Sequence, residues 1–187
     1  MLFRSLGIWA SGAQPAANAG SFESIATVTV GSGGSSTITF SSIPSTYTHL
    51  QVRLLCRQSN GDTSNNIYLK INNDTASNYT LHDIYGDGSS VSVQGAANQS
   101  QGFAARVADS AASSSIFGVG IIDILDYANT NKYKTVRSLS GEDRNGAGNV
   151  YFISSLWRST SAITELTFQN GTVAAQYSHF ALYGIKS

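Results

Sequence analysis

Residues 71–90, INNDTASNYTLHDIYGDGSS, contain the densest group of reactive and hydrogen-bonding side chains in the chain. Three carboxylates, one imidazole and two phenols fall within this stretch, together with a Gly-Asp-Gly turn. Side chains of these types bind sugar hydroxyls and cations, or act as acids and bases. We identify eight of them as candidate recognition residues: Asn73, Asp74, Asn78, Tyr79, His82, Asp83, Tyr85 and Asp87.

The rest of the sequence contains no motif that would complete a catalytic centre with these residues. No G-x-S-x-G motif occurs in a strand–turn–helix setting, and the three histidines are far apart in the sequence. Asp123 and Asp126 are expected on opposite faces of one strand, so they cannot flank a single scissile bond. The acidic stretch 74–87 lacks the D-x-D-x-D-G loop and closing glutamate of a calcium site. We therefore predict a non-enzymatic protein without a metal or cofactor.

The composition favours a single β-rich domain. The 187 residues are 41% hydrophobic and only 12% charged, against about 25% charged residues in an average soluble domain. Eighteen glycines, with abundant Ser, Thr, Asn and Tyr, favour strands and turns over helices. The formal net charge is zero, so we do not expect a nucleic-acid partner. No apolar run approaches the roughly 20 residues needed to cross a membrane, so no membrane insertion is expected.

The hydrophobic pattern has a period of two from Phe22 onward, which is typical of half-buried strands. The segments IATVTV at 25–30 and STITF at 36–40 flank GSGG, which predicts a β-hairpin. The segment at 48–58, THLQVRLLCRQ, alternates and places Cys56 in the core and Arg57 in solvent. A single cysteine excludes an intrachain disulfide.

The second half of the chain continues the strand–turn–strand pattern. SIFGVGIIDILDY at 115–127 is apolar on both faces, which predicts a central strand. The stretch 72–114 is poor in aliphatic residues, so we expect long loops there with two short strands, YTLHDIY and GFAARV, and residues 71–90 as a rim loop. Glu142 and Asp143 lie in a glycine-rich loop beside Arg144, which suggests a solvated or intersubunit ion pair. The whole pattern predicts an all-β fold, an antiparallel β-sandwich of the jelly-roll kind.

Residues 1–20 differ from the rest of the sequence. Apolar residues recur there at helical spacing, and the small-residue linker ASGAQPAANAG follows them. A single amphipathic turn of this length is not stable alone in water, so we predict that its own domain, a sister subunit or a larger assembly holds it, and that it is an anchor into the larger particle. The chain thus divides into an N-terminal anchor and linker, 1–20, and a β-sandwich domain, 21–187. The predicted anchor residues are Leu2, Phe3, Leu6, Ile8 and Trp9.

Four segments together resemble a known group of proteins: SFESIATVTVGSGGSSTITFSSIPSTYTHLQVR, KINNDTASNYTLHDIYGDG, DILDYANTNKYKTVRSLSG and ALYGIKS. The pattern resembles small structural proteins of tailed bacteriophages, particularly those that infect cyanobacteria and other aquatic hosts. The resemblance runs from about Ser21 to Ser187. It implies a virion component of a tail fibre, baseplate or capsid decoration, and it implies no catalytic residues.

From these observations we expect a homotrimeric tail-fibre or tail-tip protein, made in the host cytoplasm and located in the virion. Its partners would be other copies of itself, other virion proteins and a host-surface glycan. One alternative is a capsid decoration protein. Another is a carbohydrate-binding module, in which Tyr79, Tyr85 and Trp157 would form an exposed aromatic platform.

Overall fold

The computed structural model describes residues 21–186, which form twelve β-strands and no helix. The strands pack as two antiparallel sheets around a common core, so the predicted all-β antiparallel sandwich is confirmed. The predicted anchor residues in 1–20 lie outside the described residues. The strands are β1 (Phe22–Thr29), β2 (Ser35–Phe40), β3 (His49–Cys56), β4 (Ser64–Ile71), β5 (Tyr79–Gly86), β6 (Val91–Gln99), β7 (Gly102–Ala108), β8 (Gly118–Leu125), β9 (Lys134–Asp143), β10 (Gly148–Trp157), β11 (Leu166–Ala174) and β12 (His179–Ile185).

Strands that are consecutive in the first part of the chain lie in different sheets. The larger sheet has the order β1-β12-β3-β8-β9-β10-β5-β6, and the smaller has the order β2-β11-β4-β7. The predicted hairpin between 25–30 and 36–40 is therefore wrong, because β1 pairs with β12 and β2 pairs with β11. The glycine-rich turn instead carries the chain from one sheet to the other. At Gly34 the backbone has φ 69°, and a Cβ there would lie 2.4 Å from Val173.

Two hairpins extend the larger sheet by four strands. The β5–β6 hairpin lies in the connection between β4 and β7, and the β9–β10 hairpin lies in the connection between β8 and β11. They pair with each other through β10 and β5, and with the rest of the sheet through β8 and β9. The expectation of long loops in 72–114 is thus wrong for most of that stretch. Few residues of this stretch are aliphatic, so the hydrophobic pattern with a period of two is weak there, although the strands still pair.

The main core lies between the two sheets and follows the predicted alternation. Inward residues of β3 and β4 are almost fully buried, and Phe168 contacts Phe180 with ring centroids 5.7 Å apart. Cys56 is buried as predicted, and burial raises the pKa of its thiol to about 12. A second, smaller apolar cluster lies under the inserted hairpins, separate from the main core. Its members are Leu81, Phe103, Tyr151 and Ile153.

Arg57 is buried, although the alternation of β3 predicted it in solvent. β3 ends at Cys56, so the period of two no longer sets the direction of the next side chain. The guanidinium donates hydrogen bonds to four backbone carbonyls of the connection between β7 and β8, at 2.8–3.2 Å. The accepting residues are Ser110, Ala112, Ser113 and Ile116.

Candidate functional site

The first three candidate recognition residues shape the turn between β4 and β5. Asn73 has φ 54°, a left-handed conformation that asparagine tolerates better than most residues. The Asp74 carboxylate accepts hydrogen bonds from the Ala76 N–H, from Asn78 Nδ2 and from Trp157 Nε1, at 2.7–2.9 Å. These hydrogen bonds hold the turn against the end of β10, so the Asp74 carboxylate has a structural role.

The next candidates lie on β5 and point alternately to its two faces. The strand predicted at YTLHDIY is therefore confirmed, and the assignment of these residues to a rim loop is wrong. Tyr79 is buried, and its hydroxyl accepts a hydrogen bond from the Ile71 N–H at 2.9 Å. Tyr85 is half-buried and stacks on Tyr151, with ring centroids 4.5 Å apart. His82 points the other way, to the exposed outer face of the larger sheet.

The aromatic platform predicted for a carbohydrate-binding module does not form. Tyr79 and Trp157 are both buried, and only part of Tyr85 reaches the surface. The physical reason is the strand periodicity, since Tyr79 and Trp157 are opposite each other on β5 and β10 and both face the core. Among the described residues, these three aromatic side chains do not form a shared exposed plane.

Asp83 and Asp87 have opposite environments. Asp83 is buried on the inner face of β5, and neither of its carboxylate oxygens has a hydrogen-bond partner among the described residues. Burial raises the pKa of Asp83. Asp87 is exposed in the β5–β6 turn and accepts hydrogen bonds from the N–H groups of Ser90 and Ser89 and from the Ser90 hydroxyl. These bonds lower the pKa of Asp87 and close the turn. The eight candidates therefore do not converge on one site.

The outer face of the larger sheet carries a broad apolar surface that sequence reasoning missed. Strand register places Ile121 beside Leu139, Leu139 beside Phe152 and Phe152 beside Ile84, in one row across four strands. Monomeric proteins rarely expose a contiguous apolar patch of more than a few hundred Å². We call the following nine side chains, each between 41% and 77% exposed, the outer apolar surface: Leu55, Ile84, Val91, Val93, Val119, Ile121, Leu139, Val150 and Phe152.

A groove of about 750 Å³ opens on this surface where β8, β9, β10 and β5 meet. Val119, Gly141, Val150 and Gly86 lie side by side in one row, so valine side chains alternate with glycines that leave space between them. A Cβ at Gly141 would lie 2.2 Å from the carbonyl oxygen of Asn149, so only glycine fits that position. We call this feature the glycine groove. The two inserted hairpins supply three of its four strands.

The β9–β10 connection forms the charged rim of the glycine groove. The Glu142 side chain is fully buried and accepts hydrogen bonds from Arg144 Nε and Asn149 Nδ2, each at 2.9 Å. The pair formed by Glu142 and Arg144 is therefore within one chain and partly buried, and not the solvated or intersubunit pair that we predicted. Asp143 also lines the groove and is exposed to solvent. The rim thus presents a carboxylate to solvent beside apolar walls.

A polar row borders the outer apolar surface on the side away from the glycine groove. Gln51 Nε2 donates to Asp123 Oδ1 at 2.8 Å, and Arg53 Nε donates to Gln51 Oε1 at 3.0 Å. Arg137 lies opposite Asp123 on the next strand. The nine residues of the outer apolar surface lie mainly between this polar row and the end of the sheet that carries the groove.

Within residues 21–186, no group of three or more His, Cys, Asp or Glu side chains is arranged to hold a metal ion. No helix in this part of the chain is long and apolar enough to cross a membrane. Comparison with known proteins gives no matching family, no matching curated protein and no matching solved structure.

Proposed function

We propose that this chain is a non-enzymatic structural subunit of a tailed-phage virion, a tail-fibre or tail-tip component that forms a homotrimer. The observation that carries the proposal is the outer apolar surface, in which nine large apolar side chains are exposed on one face. Leaving such a face in water costs free energy, at roughly 25 cal/mol for each Å². A neighbouring subunit that covers this face removes that cost, and an assembly protein is the class that such a surface fits.

The strand order supports the same class of protein. When the two inserted hairpins are set aside, the sheets become β1-β12-β3-β8 and β2-β11-β4-β7, two sets of four strands. We propose that this is a jelly roll, an architecture that viral capsid and lectin domains use. The hairpins would then be additions that widen one sheet and provide an interface. Capsid decoration is the alternative place for the same subunit in the particle.

Contact with a host glycan is a separate part of the proposal, and we place it at a second pocket on the outer face. This pocket begins at Asp123 and Arg137 of the polar row and is completed by Asp126, Lys132 and Tyr133. Asp126 follows the end of β8 and has φ 50°, so it lines the same pocket as Asp123, and the predicted placement on opposite faces of one strand is wrong. Tyr133 is 53% exposed, and an exposed aromatic ring beside carboxylates and a guanidinium suits a sugar. Tyr133→Ala is expected to abolish binding to a glycan array, and equal binding by this variant would remove the pocket from the proposal.

Light scattering on the full chain tests the assembly role. The wild type is expected to be a trimer. Val119→Lys combined with Val150→Lys is expected to weaken association at least about 100-fold, because the two lysines would bring two positive charges into an apolar contact, and the single exposed carboxylate of Asp143 cannot pair with both. Thr37→Lys is the matched control, since Thr37 is exposed on the smaller sheet. A monomeric wild type, or a double variant that associates normally, would contradict the proposal.

Labelling of intact phage particles with an antibody against the β-domain tests the location. A signal at the tail tip supports the leading proposal, and a signal over the capsid lattice supports the decoration alternative. Particles that contain no copy of the chain would overturn both.

A further inference from the structure

We propose that the glycine groove binds residues 1–9 of a neighbouring copy of the same chain. This inference rests on the proposed assembly role and specifies its partner. It joins two features that are otherwise unexplained: an open apolar groove on the β-domain and an apolar segment that precedes it.

The chemistry of the segment matches that of the groove. Residues 1–9, MLFRSLGIW, contain six large apolar residues and a single charge, on Arg4. The groove offers valine walls and glycine gaps, with a volume of about 750 Å³. This volume is within the range of roughly 300–1,000 Å³ typical of binding pockets, and it suits a few large side chains. The exposed Asp143 at the rim is complementary to Arg4.

The direction of β1 favours the groove of a neighbour over that of the same chain. Phe22 is aligned across the sheet with Leu125, through Ile185 and His49. Val119, in the groove, is at the other end of β8. The chain therefore enters β1 at the end of the sheet opposite to the groove, so the linker is joined to Ser21 at that end.

The length of the linker supports the same conclusion. From β1, strand β8 is three strand spacings or about 14 Å away, β10 is five spacings or about 24 Å away, and the six residues from Val119 to Leu125 span about 20 Å. The direct path is therefore about 25 Å to Val119 and about 31 Å to β10. Residues 10–20 reach at most about 36–40 Å when fully extended. Because the linker must also reverse at Ser21 and pass over protruding side chains, it reaches the β10 side of its own groove only when almost fully extended, whereas a neighbour can present its groove directly.

The resulting contact is heterologous. The segment of one copy leaves from one end of the sheet, and the groove that receives it lies at the other end of the next copy. Contacts of this kind form a closed ring if the rotation between copies closes, and a filament if it does not. A three-membered ring is the closed form that agrees with the proposed trimer.

Disulfide trapping in the full chain tests the inference. Leu6→Cys and Val119→Cys are made as two separate variants, mixed and oxidised. Cys56 is buried with a raised thiol pKa, so it gives little background. We expect a mixed covalent dimer on a non-reducing gel. Its yield should be at least ten times that of the control mixture, in which Thr37→Cys replaces Val119→Cys. Thr37 is exposed on the smaller sheet.

A second variant tests whether the groove itself is required. A Cβ at Gly86 would lie 3.7 Å from its nearest neighbour, an ordinary contact, so Gly86→Val narrows the groove without a backbone clash. In this background we expect the yield of the mixed dimer to fall at least five-fold.

Two outcomes would overturn the inference. One is a disulfide within a single chain in the Leu6→Cys/Val119→Cys double variant with none in the mixture, which would assign the segment to its own groove. The other is a yield equal to that of the Thr37→Cys control. If the wild type remains a trimer in either case, only this inference fails. A monomeric wild type would instead remove the proposed function.

Discussion

Replacement of Arg57 by methionine should destabilise the fold through one connection. Methionine keeps most of the buried aliphatic volume but removes all the donors to the connection between β7 and β8. Four hydrogen bonds from a cationic donor would contribute roughly 6–12 kcal/mol if each had its full value of about 1.5–3 kcal/mol. That sum is too large, because most residues of this connection are exposed and their carbonyls regain water.

The carbonyl of Ala112 is the main exception, since Ala112 and the guanidinium it binds are both buried. We therefore expect Arg57→Met to lower the free energy of unfolding by about 3–4 kcal/mol. This value corresponds to one or two hydrogen bonds at their full contribution and a smaller contribution from the others. Arg57→Lys keeps the charge but not the planar set of donors, and it should lose about half as much.

Urea unfolding of the full chain measures both values, with the slope against denaturant checked for constancy. Hydrogen exchange should show faster exchange in residues 109–117 than elsewhere in Arg57→Met. A loss below about 1 kcal/mol, or a lysine variant as stable as the wild type, would refute the reasoning that these hydrogen bonds fix the connection.

Three further substitutions probe buried polar groups. Lys134→Met should lower the free energy of unfolding by about 2–4 kcal/mol, because the buried ammonium donates hydrogen bonds to three backbone carbonyls. Thermal unfolding measures this loss, and an unchanged midpoint temperature would contradict the prediction. Burial raises the pKa of Asp83, so the native state keeps its proton where the unfolded chain has lost it, and wild-type stability should fall as the pH rises from about 4. Denaturation of Asp83→Asn across this range should lack that fall; a parallel pH profile would contradict it. Asp74→Ala should cost about 2 kcal/mol and alter the fluorescence of Trp157, whose indole N–H loses its acceptor; an unchanged spectrum would show that this hydrogen bond does not fix the ring.

Local alternation was sufficient to predict most strands and the direction of their side chains. Ile67, Leu69 and Ile71 all face the core as predicted, because a period of two is decided by each strand and its nearest buried surface. Strand pairing was not predictable in the same way. The turn after β1 has the composition of a hairpin, but β1 and β2 pair with strands from the far end of the chain, and no local signal encodes that choice.

The candidate site was predictable in its residue types but not in its geometry. The Asp83 carboxylate could bind a ligand, but the alternation of side chains along β5 places Asp83 in the interior and His82 at the surface. For β8, the sequence predicted a central strand with apolar residues on both faces, which is correct, since β8 is the fourth of eight strands in the larger sheet. Its inward residues Ile122 and Ile124 are buried, whereas Ile121 on the outward face is exposed. The sequence of this chain encodes the apolar face, but it does not identify the surface that covers that face.

The division of the core into two clusters has a consequence for the cooperativity of unfolding. The smaller cluster, four buried residues under the inserted hairpins, is separate from the main core between the sheets. Regions with fewer buried apolar contacts open at lower free energy than the rest of a protein. Tyr79, Val136 and Trp157 join one end of the inserted hairpins to the main core, so we expect the other end, which carries the smaller cluster and the glycine groove, to open and close while the sandwich remains folded. In the proposed assembly, binding at the groove would then stabilise this end of the hairpins against local opening.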